Sequence, residues 1–176
     1  QLFGKGAGAN RAFCFSAEDR SAFGVIAFDT VPNKDVFMPS AAQVLALHRF
    51  EDGQRYDNIT DWALKQFTAH YKEAAAAGAA KASASEARKI TKEAIFHYCY
   101  AVLHDPVYRE KYAQNLKREF PRIPLYGSSP ADFWLWAAWG EALMALHIGY
   151  EAVAPFPLTR TDTPDDKARA AGQSPK

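Results

Sequence analysis

A surplus of charge of one sign is missing from this chain: 21 Lys and Arg stand against 20 Asp and Glu, a formal net charge of +1. Phosphate neutralisation drives the affinity of free-standing nucleic-acid binders, so this balance argues against strong autonomous DNA binding through bulk charge. It still allows base edges to be read by a module that neighbouring domains hold on the duplex. Cysteine is scarce too. Cys14 and Cys99 each sit in an apolar run, with no CxxC or Cys/His cluster beside them. They read as buried reduced thiols, which suits a cytoplasmic protein, and no zinc site is expected. No apolar stretch approaches the roughly 20 residues that cross a bilayer. The N-terminus lacks the basic-then-apolar layout of a signal peptide. There is no initiator Met, and the opening QLFGKGAGAN is Gly-rich without periodicity, so the chain reads as a piece entered in mid-protein.

What is present describes one domain over residues 1–158 and a polar tail over 159–176, expected to be mobile. Short apolar runs rich in β-branched and aromatic residues fill 11–50: Ala12–Ser16, Phe23–Thr30, a short run at Val36–Met38, and Gln43–Phe50. Pro, Asn and Asp separate them, which favours strands. Glu51-Asp52-Gly53-Gln54 reads as the break to a helical part over 58–150. There Ile59, Trp62, Phe67 and His70 fall at helical spacing, and residues 74–88 form an Ala-rich connector. Thr91 is placed to cap a helix carrying Ile95, Tyr98, Cys99, Val102 and Leu103, which should end at Asp105 before Pro106. Pro106 opens a helix to about Glu119. Phe120–Pro124 is extended or a turn, and a long helix follows from about Ala131 to Gly149. The fold class is α+β, a small mainly antiparallel sheet followed by a helical bundle.

Catalytic constellations are not found. The Phe3–Gly8 glycines lack the preceding strand and following helix of a cofactor loop. The histidines, His48, His70, His97, His104 and His147, form no HExxH or HxxxH pair, and His97 and His104 read as packed structural residues. Cys99 lies mid-helix in apolar company, which raises a thiol pKa and removes its nucleophilicity. The cations Arg109, Lys111, Lys117, Arg118 and Arg122, interleaved with Tyr108 and Tyr112, read first as a solvated helix face with local ion pairs. Phosphate contact is their second reading.

Four strings carry a resemblance: RYDNITDWALKQFTAHY at 55–71, ITKEAIFHYCYAVLHDP at 90–106, YREKYAQNLKREFPRIPLY at 108–126 and DFWLWAAWGEALMALHIGYE at 132–151. In that order, with NRAFCFS at 10–16 upstream, the chain resembles the C-terminal region of type ISP restriction–modification enzymes over about residues 10–158. Two departures stand out. Val44–His48 occupies the place of a Cys-Phe/Leu-Pro-Leu-Tyr-like strand, and the Ala-rich 74–88 lies outside the shared motifs.

The resemblance implies a bacterial, cytoplasmic polypeptide carrying nuclease, translocase, N6-adenine methyltransferase and target-recognition parts, of which this chain is the last. Double-stranded DNA and the methyltransferase domain of the parent are the implied partners. S-adenosylmethionine, ATP and Mg2+ are the cofactors implied for the whole enzyme, with none held by this piece. In keeping with that placement, the chain contains no Asn/Asp-Pro-Pro-aromatic tetrapeptide, no Walker A or Asp-Glu box, and no nuclease carboxylate–Lys pattern. By itself it is expected not to be an enzyme. Loop chemistry nominates Asp19, Arg20, Ser21, Asn33 and Lys34, with Arg49 and Arg55 nearby, as DNA contacts, since such side chains can reach base edges in a groove. The alternative is a docking module with little DNA contact, whose apolar patch would include Trp134, Trp139 or Tyr150.

Overall fold

The computed structural model describes residues 10–16, 23–33, 36–37, 42–77, 88–159 and 169–172. Its first part is a three-stranded antiparallel sheet: β1 (Ala12–Ser16) lies between β2 (Val25–Phe28) and β3 (Ala42–Ala46). Central position explains why every residue of β1 is buried. Alternation sends Phe13 and Phe15 to one face, where Phe13 meets Phe96 and Tyr100 at ring-centre distances of 5.0 and 5.5 Å. The registers pair Phe15 with Val25 and Ser16 with Ala42 at one end of β1, and Ala12 with Phe28 and Ala46 at the other. The strand expected over Phe23–Thr30 is limited to Val25–Phe28. Val36 and Phe37 lie in a turn rather than a strand, and Met38 falls outside the described residues.

Two sequence expectations are corrected between residues 43 and 57. Gln43–Phe50 is not one strand, because the chain bends at Leu47 between β3 and β4 (His48–Glu51). Asp52 and Gly53 are the tip of a two-residue hairpin joining β4 to β5 (Gln54–Asp57), not the break to the helices. Both tip residues have positive φ, +50° and +77°. A turn with two left-handed residues matches the twist of the flanking strands, and Asp-Gly is one of its strongest sequence signals.

The helices are α1 (Asp61–Ala77), α2 (Lys92–His104), α3 (Pro106–Lys111), α4 (Ala113–Leu116) and α5 (Pro130–Ile148). Helix α2 begins where expected: Thr91 Oγ1 accepts from the Ala94 N–H at 3.1 Å. It ends at Asp105, whose carboxylate then caps α3 by accepting from Val107 and Tyr108. The single helix expected from Pro106 to Glu119 is interrupted at Tyr112. Ser129 and Asp132 form a capping box at the start of α5, with Pro130 in the first turn.

Helix α2 is the centre of the molecule, with nine buried residues on all sides of its axis. One side carries the sheet. Another carries α5, where Tyr98 stacks on Phe133 at 5.5 Å. Helices α2 and α5 touch backbone to backbone at Gly140: a β-carbon there would lie 1.8 Å from the His97 carbonyl oxygen. Only glycine permits this approach. Phe67 of α1 closes the third side, edge-on to Tyr98 at 5.2 Å.

The irregular chain over 120–126 runs along the edge of this core, with Ile123, Leu125 and Tyr126 half-buried against it, and its carbonyls need partners. Tyrosines supply them at every second residue. Tyr108 donates to the Arg122 carbonyl at 3.0 Å, Tyr98 to Pro124 at 2.9 Å and Tyr71 to Tyr126 at 2.8 Å. Desolvation raises the pKa of all three phenols and keeps them protonated as donors.

Candidate nucleic-acid interface

Of the expected DNA contacts, Asn33, Arg49 and Arg55 fall among the described residues. Asp19, Arg20, Ser21 and Lys34 lie outside the described residues, and the sheet around 17–22 closes between Ser16 and Gly24. The Ser16 N–H donates to the Gly24 carbonyl at 3.0 Å, and the Gly24 N–H donates to Ser16 Oγ at 2.9 Å. Asn33 is exposed beyond β2, and its carbonyl accepts from the Val36 N–H at 3.3 Å.

Arg49 and Arg55 stand elsewhere. The Leu47 N–H donates to Arg11 at 2.8 Å, and the Asn10 side-chain amide exchanges two hydrogen bonds with the His48 backbone. The β4–β5 hairpin therefore springs from the Ala12 end of β1, opposite to the Ser16 end. Arg49 pairs across the ribbon with Tyr56 and Phe50 with Arg55, so the two arginines point to opposite faces. Arg49 is tied to Glu51 and lies 5.4 Å from the Tyr56 ring centre.

Every side chain of β5 is exposed. The ribbon is instead held at its base. Lys92 Nζ bridges Asp57 at 3.2 Å and Asp61 at 2.7 Å, and Asn58 donates to the Ala46 carbonyl at 2.9 Å. The hydrogen bonds that Lys92 donates to these carboxylates raise its pKa, and the same contact with Asp61 lowers that of the Asp61 carboxyl. A two-stranded ribbon fixed at its base, with Gln54, Arg55 and Tyr56 free of the core, has the dimensions and donors to enter a major groove. Gln54 and Tyr56, exposed beside Arg55 on this ribbon, were not among the residues nominated from the sequence.

The basic helix splits by environment. Arg109 turns inward, where its Nε donates to the Leu103 carbonyl at 2.7 Å and desolvation lowers its pKa. Arg122 pairs with Glu119 at 3.1 Å, as the solvated-face reading expects. Lys111, Lys117 and Arg118 are exposed and have no ion pair among the described residues.

The thiols and histidines sit in structural settings. Burial pushes the Cys14 thiol up to about 11 and the Cys99 thiol up to about 12. His97 is buried, with Arg11 Nη1 3.4 Å from its Nε2. His104 bridges the Tyr100 and Val25 carbonyls at 2.9 and 3.2 Å. Among the described residues no group of three or more His, Cys, Asp or Glu side chains could hold a metal ion, and no helix is long and apolar enough to cross a membrane.

Of the expected apolar docking residues, Trp139 and Tyr150 are exposed, at 51% and 68%. Trp134 is half-buried instead, covered by the Arg88 guanidinium 3.7 Å above its ring. Leu135 and Leu146 extend the exposed stripe along the outer side of α5, at spacings of four and seven around Trp139.

Comparison with known proteins agrees with this fold. No curated protein matches the chain. A solved DrdV–DNA complex contains a chain 44% identical to this one, with a TM-score of 0.75 over 97% of this chain and 15% of that one. A nuclease-deletion mutant of the type ISP restriction–modification enzyme LlaGI, solved with a DNA substrate mimic, shares the fold at 22% identity and a TM-score of 0.59. That match covers 85% of this chain and 9% of that one, so the chain spans a small part of the length of either relative. The family model described as the type ISP C-terminal specificity domain matches residues 1–175, and the chain belongs to that family.

Proposed function

We propose that this chain is the DNA target-recognition part of a type ISP restriction–modification polypeptide, positioning duplex DNA for adenine methylation and cleavage carried out by other parts. The observation that carries the reading is the specificity-domain match over residues 1–175. The 44% identity to a chain solved on DNA supports it. The chemistry expected of the parent, with S-adenosylmethionine, ATP and Mg2+, lies outside this piece, which binds and orients DNA and is not itself an enzyme. Base-reading groups come from the sheet part: the loop residues Asp19, Arg20, Ser21, Asn33 and Lys34, and the ribbon with Arg49 and Arg55.

The test is an exchange of specificity. Residues 1–176 replace the matching region of a relative with a different target, and the methylated sequence is read from genomic DNA. Methylation that follows the transplanted region supports the proposal. A stable hybrid that keeps the recipient's site would sink it.

A second reading is favoured by one observation, the exposed Leu135, Trp139 and Leu146 stripe on α5. A monomeric surface seldom keeps such a stripe uncovered, and the methyltransferase part of the parent is the partner that would cover it. The two readings use different surfaces and are compatible. Trp139→Ser with Leu146→Ser should weaken association with the separately expressed remainder of the parent. Unchanged association would remove this reading.

A further inference from the structure

Between Arg109 and Arg122 the chain carries five cations against two carboxylates, Glu110 and Glu119, a local surplus larger than the +1 of the entire sequence. Arg109 is committed to the core and Arg122 to Glu119, which leaves Lys111, Lys117 and Arg118 projecting into solvent. Backbone bonds from Tyr112 to Tyr108 at 3.0 Å and from Leu116 to Tyr112 at 2.9 Å carry the helical path through the junction of α3 and α4. A bond from Arg118 to Asn115 at 2.9 Å tightens the last turn. Lys111, Asn115 and Arg118 therefore share one face. Glu110 is the sole carboxylate of this stretch without an ion pair among the described residues.

Beside this face runs a groove of about 280 Å3, walled by Tyr112, Asn115, Phe120 and Arg122. The groove adjoins the Ser16 end of the sheet. Phe120 packs edge-on against Phe15 at 5.8 Å, Phe15 lies 6.1 Å from Phe23, and the Arg109 guanidinium lies 5.7 Å from the Phe23 ring centre.

We propose that Lys111, Asn115 and Arg118, with Lys117 beside them in the turn, form a second DNA-contact surface that grips the phosphodiester backbone rather than reading bases. The inference rests on the target-recognition reading and adds a surface to it. Phosphate contacts need cations or amide donors without carboxylates competing for them, and this face supplies both kinds of donor. Their long side chains suit a sequence-independent hold. The near-neutral balance of the whole chain conceals it, because the positive surplus is gathered on α3 and the turn that follows α4.

The test compares the 176-residue protein with a Lys111→Gln, Lys117→Gln, Arg118→Gln variant, in binding to random-sequence duplexes across a salt series. An Arg49→Ala, Arg55→Ala variant is measured alongside. Each lost phosphate contact removes about 0.9 from the slope of log affinity against log salt, so the slope should fall by roughly 3, and low-salt affinity should drop about tenfold or more whatever the sequence. An unchanged slope in the folded glutamine variant overturns this surface, and if the arginine variant then weakens binding the recognition reading stands. Absence of any duplex binding by the 176-residue protein at low salt overturns the phosphate grip, while the recognition reading is decided by the specificity exchange. Polyglutamate bound as tightly as DNA, and lost in the same glutamine variant, would assign the patch to an acidic protein surface instead.

Discussion

The α2–α5 pair and the β4–β5 ribbon use their side chains in opposite ways. On α2 the sheet, α1 and α5 commit every side of the helix to a packed neighbour, and at Gly140 the two backbones come as close as the chain allows. On β5 all four side chains face solvent, and a salt-bridged Asp57 with the neighbouring Asn58 does the anchoring. The difference separates two duties. The helices hold stability and leave little room for change. The ribbon holds little beyond buried Phe50 and its base, and β5 is free to vary with whatever it touches.

The comparison can be broken most directly at Gly140. Gly140→Ala puts a methyl group 1.8 Å from the His97 carbonyl, so α2 and α5 must separate. A loss of about 3 kcal/mol or more is expected in denaturant unfolding. A loss below about 1 kcal/mol would show that the pair is not the rigid element described.

Next comes Tyr98→Phe. It removes the donor to Pro124 and the acceptor of the Tyr126 N–H, leaving two backbone groups of the 120–126 segment unpaired. About 2 kcal/mol should be lost, with faster amide exchange at Tyr126. Preserved protection at that amide would mean another group holds the segment.

Gly53→Ala, at the ribbon tip with φ +77°, should cost roughly 1 kcal/mol through left-handed strain alone, since nothing crowds the site. Arg55→Ala on the exposed strand should change stability by less than about 0.5 kcal/mol. If thermal unfolding shows Arg55→Ala to be as damaging as Tyr98→Phe, the ribbon is structural and the contrast fails.

Acid supplies a sharper version of the same contrast. Desolvation lowers the pKa of His97, His104 and His147 below the ordinary value of 6.5, and all three belong to α2 and α5. In the unfolded chain these rings take up protons as pH falls through 6.5, whereas the folded state resists them. Their contribution is therefore complete above that pH and declines below it. The melting temperature should fall progressively on acidification from pH 6.5, and a His97→Gln variant should flatten the fall. A flat profile in the parent protein would contradict the packing assigned to these rings.

How much was legible follows the range of the interactions involved. Thr91, Asp105 and Pro106 marked their helix boundaries because capping and the restriction before proline act within a few residues. The hairpin at Asp52-Gly53 was equally local, yet the polar string Glu51–Gln54 reads as a helix break when the pairing across the ribbon cannot be seen. Tyr71, Tyr98 and Tyr108 sit on three different helices, so nothing in their spacing announces that they hold alternate carbonyls of one segment. The site divides the same way. Arg49 and Arg55 lie close in sequence, but strand alternation sends them to opposite faces. Lys111, Lys117 and Arg118 could be distinguished from Arg109 only after the fold had turned one cation inward and left three outside.

The sequence alone determined the α+β class, the Thr91 cap, the family resemblance and the reading of Cys14 and Cys99 as unreactive thiols, because periodicity, turn chemistry and apolar context are short-range properties. Tertiary structure alone decided that α2 is the central helix, that Gly140 is a backbone contact and that the cationic ribbon and the cationic helix occupy separate surfaces. Those outcomes depend on which distant elements meet, and burial, hydrogen-bond partners and local charge exist only once they have met.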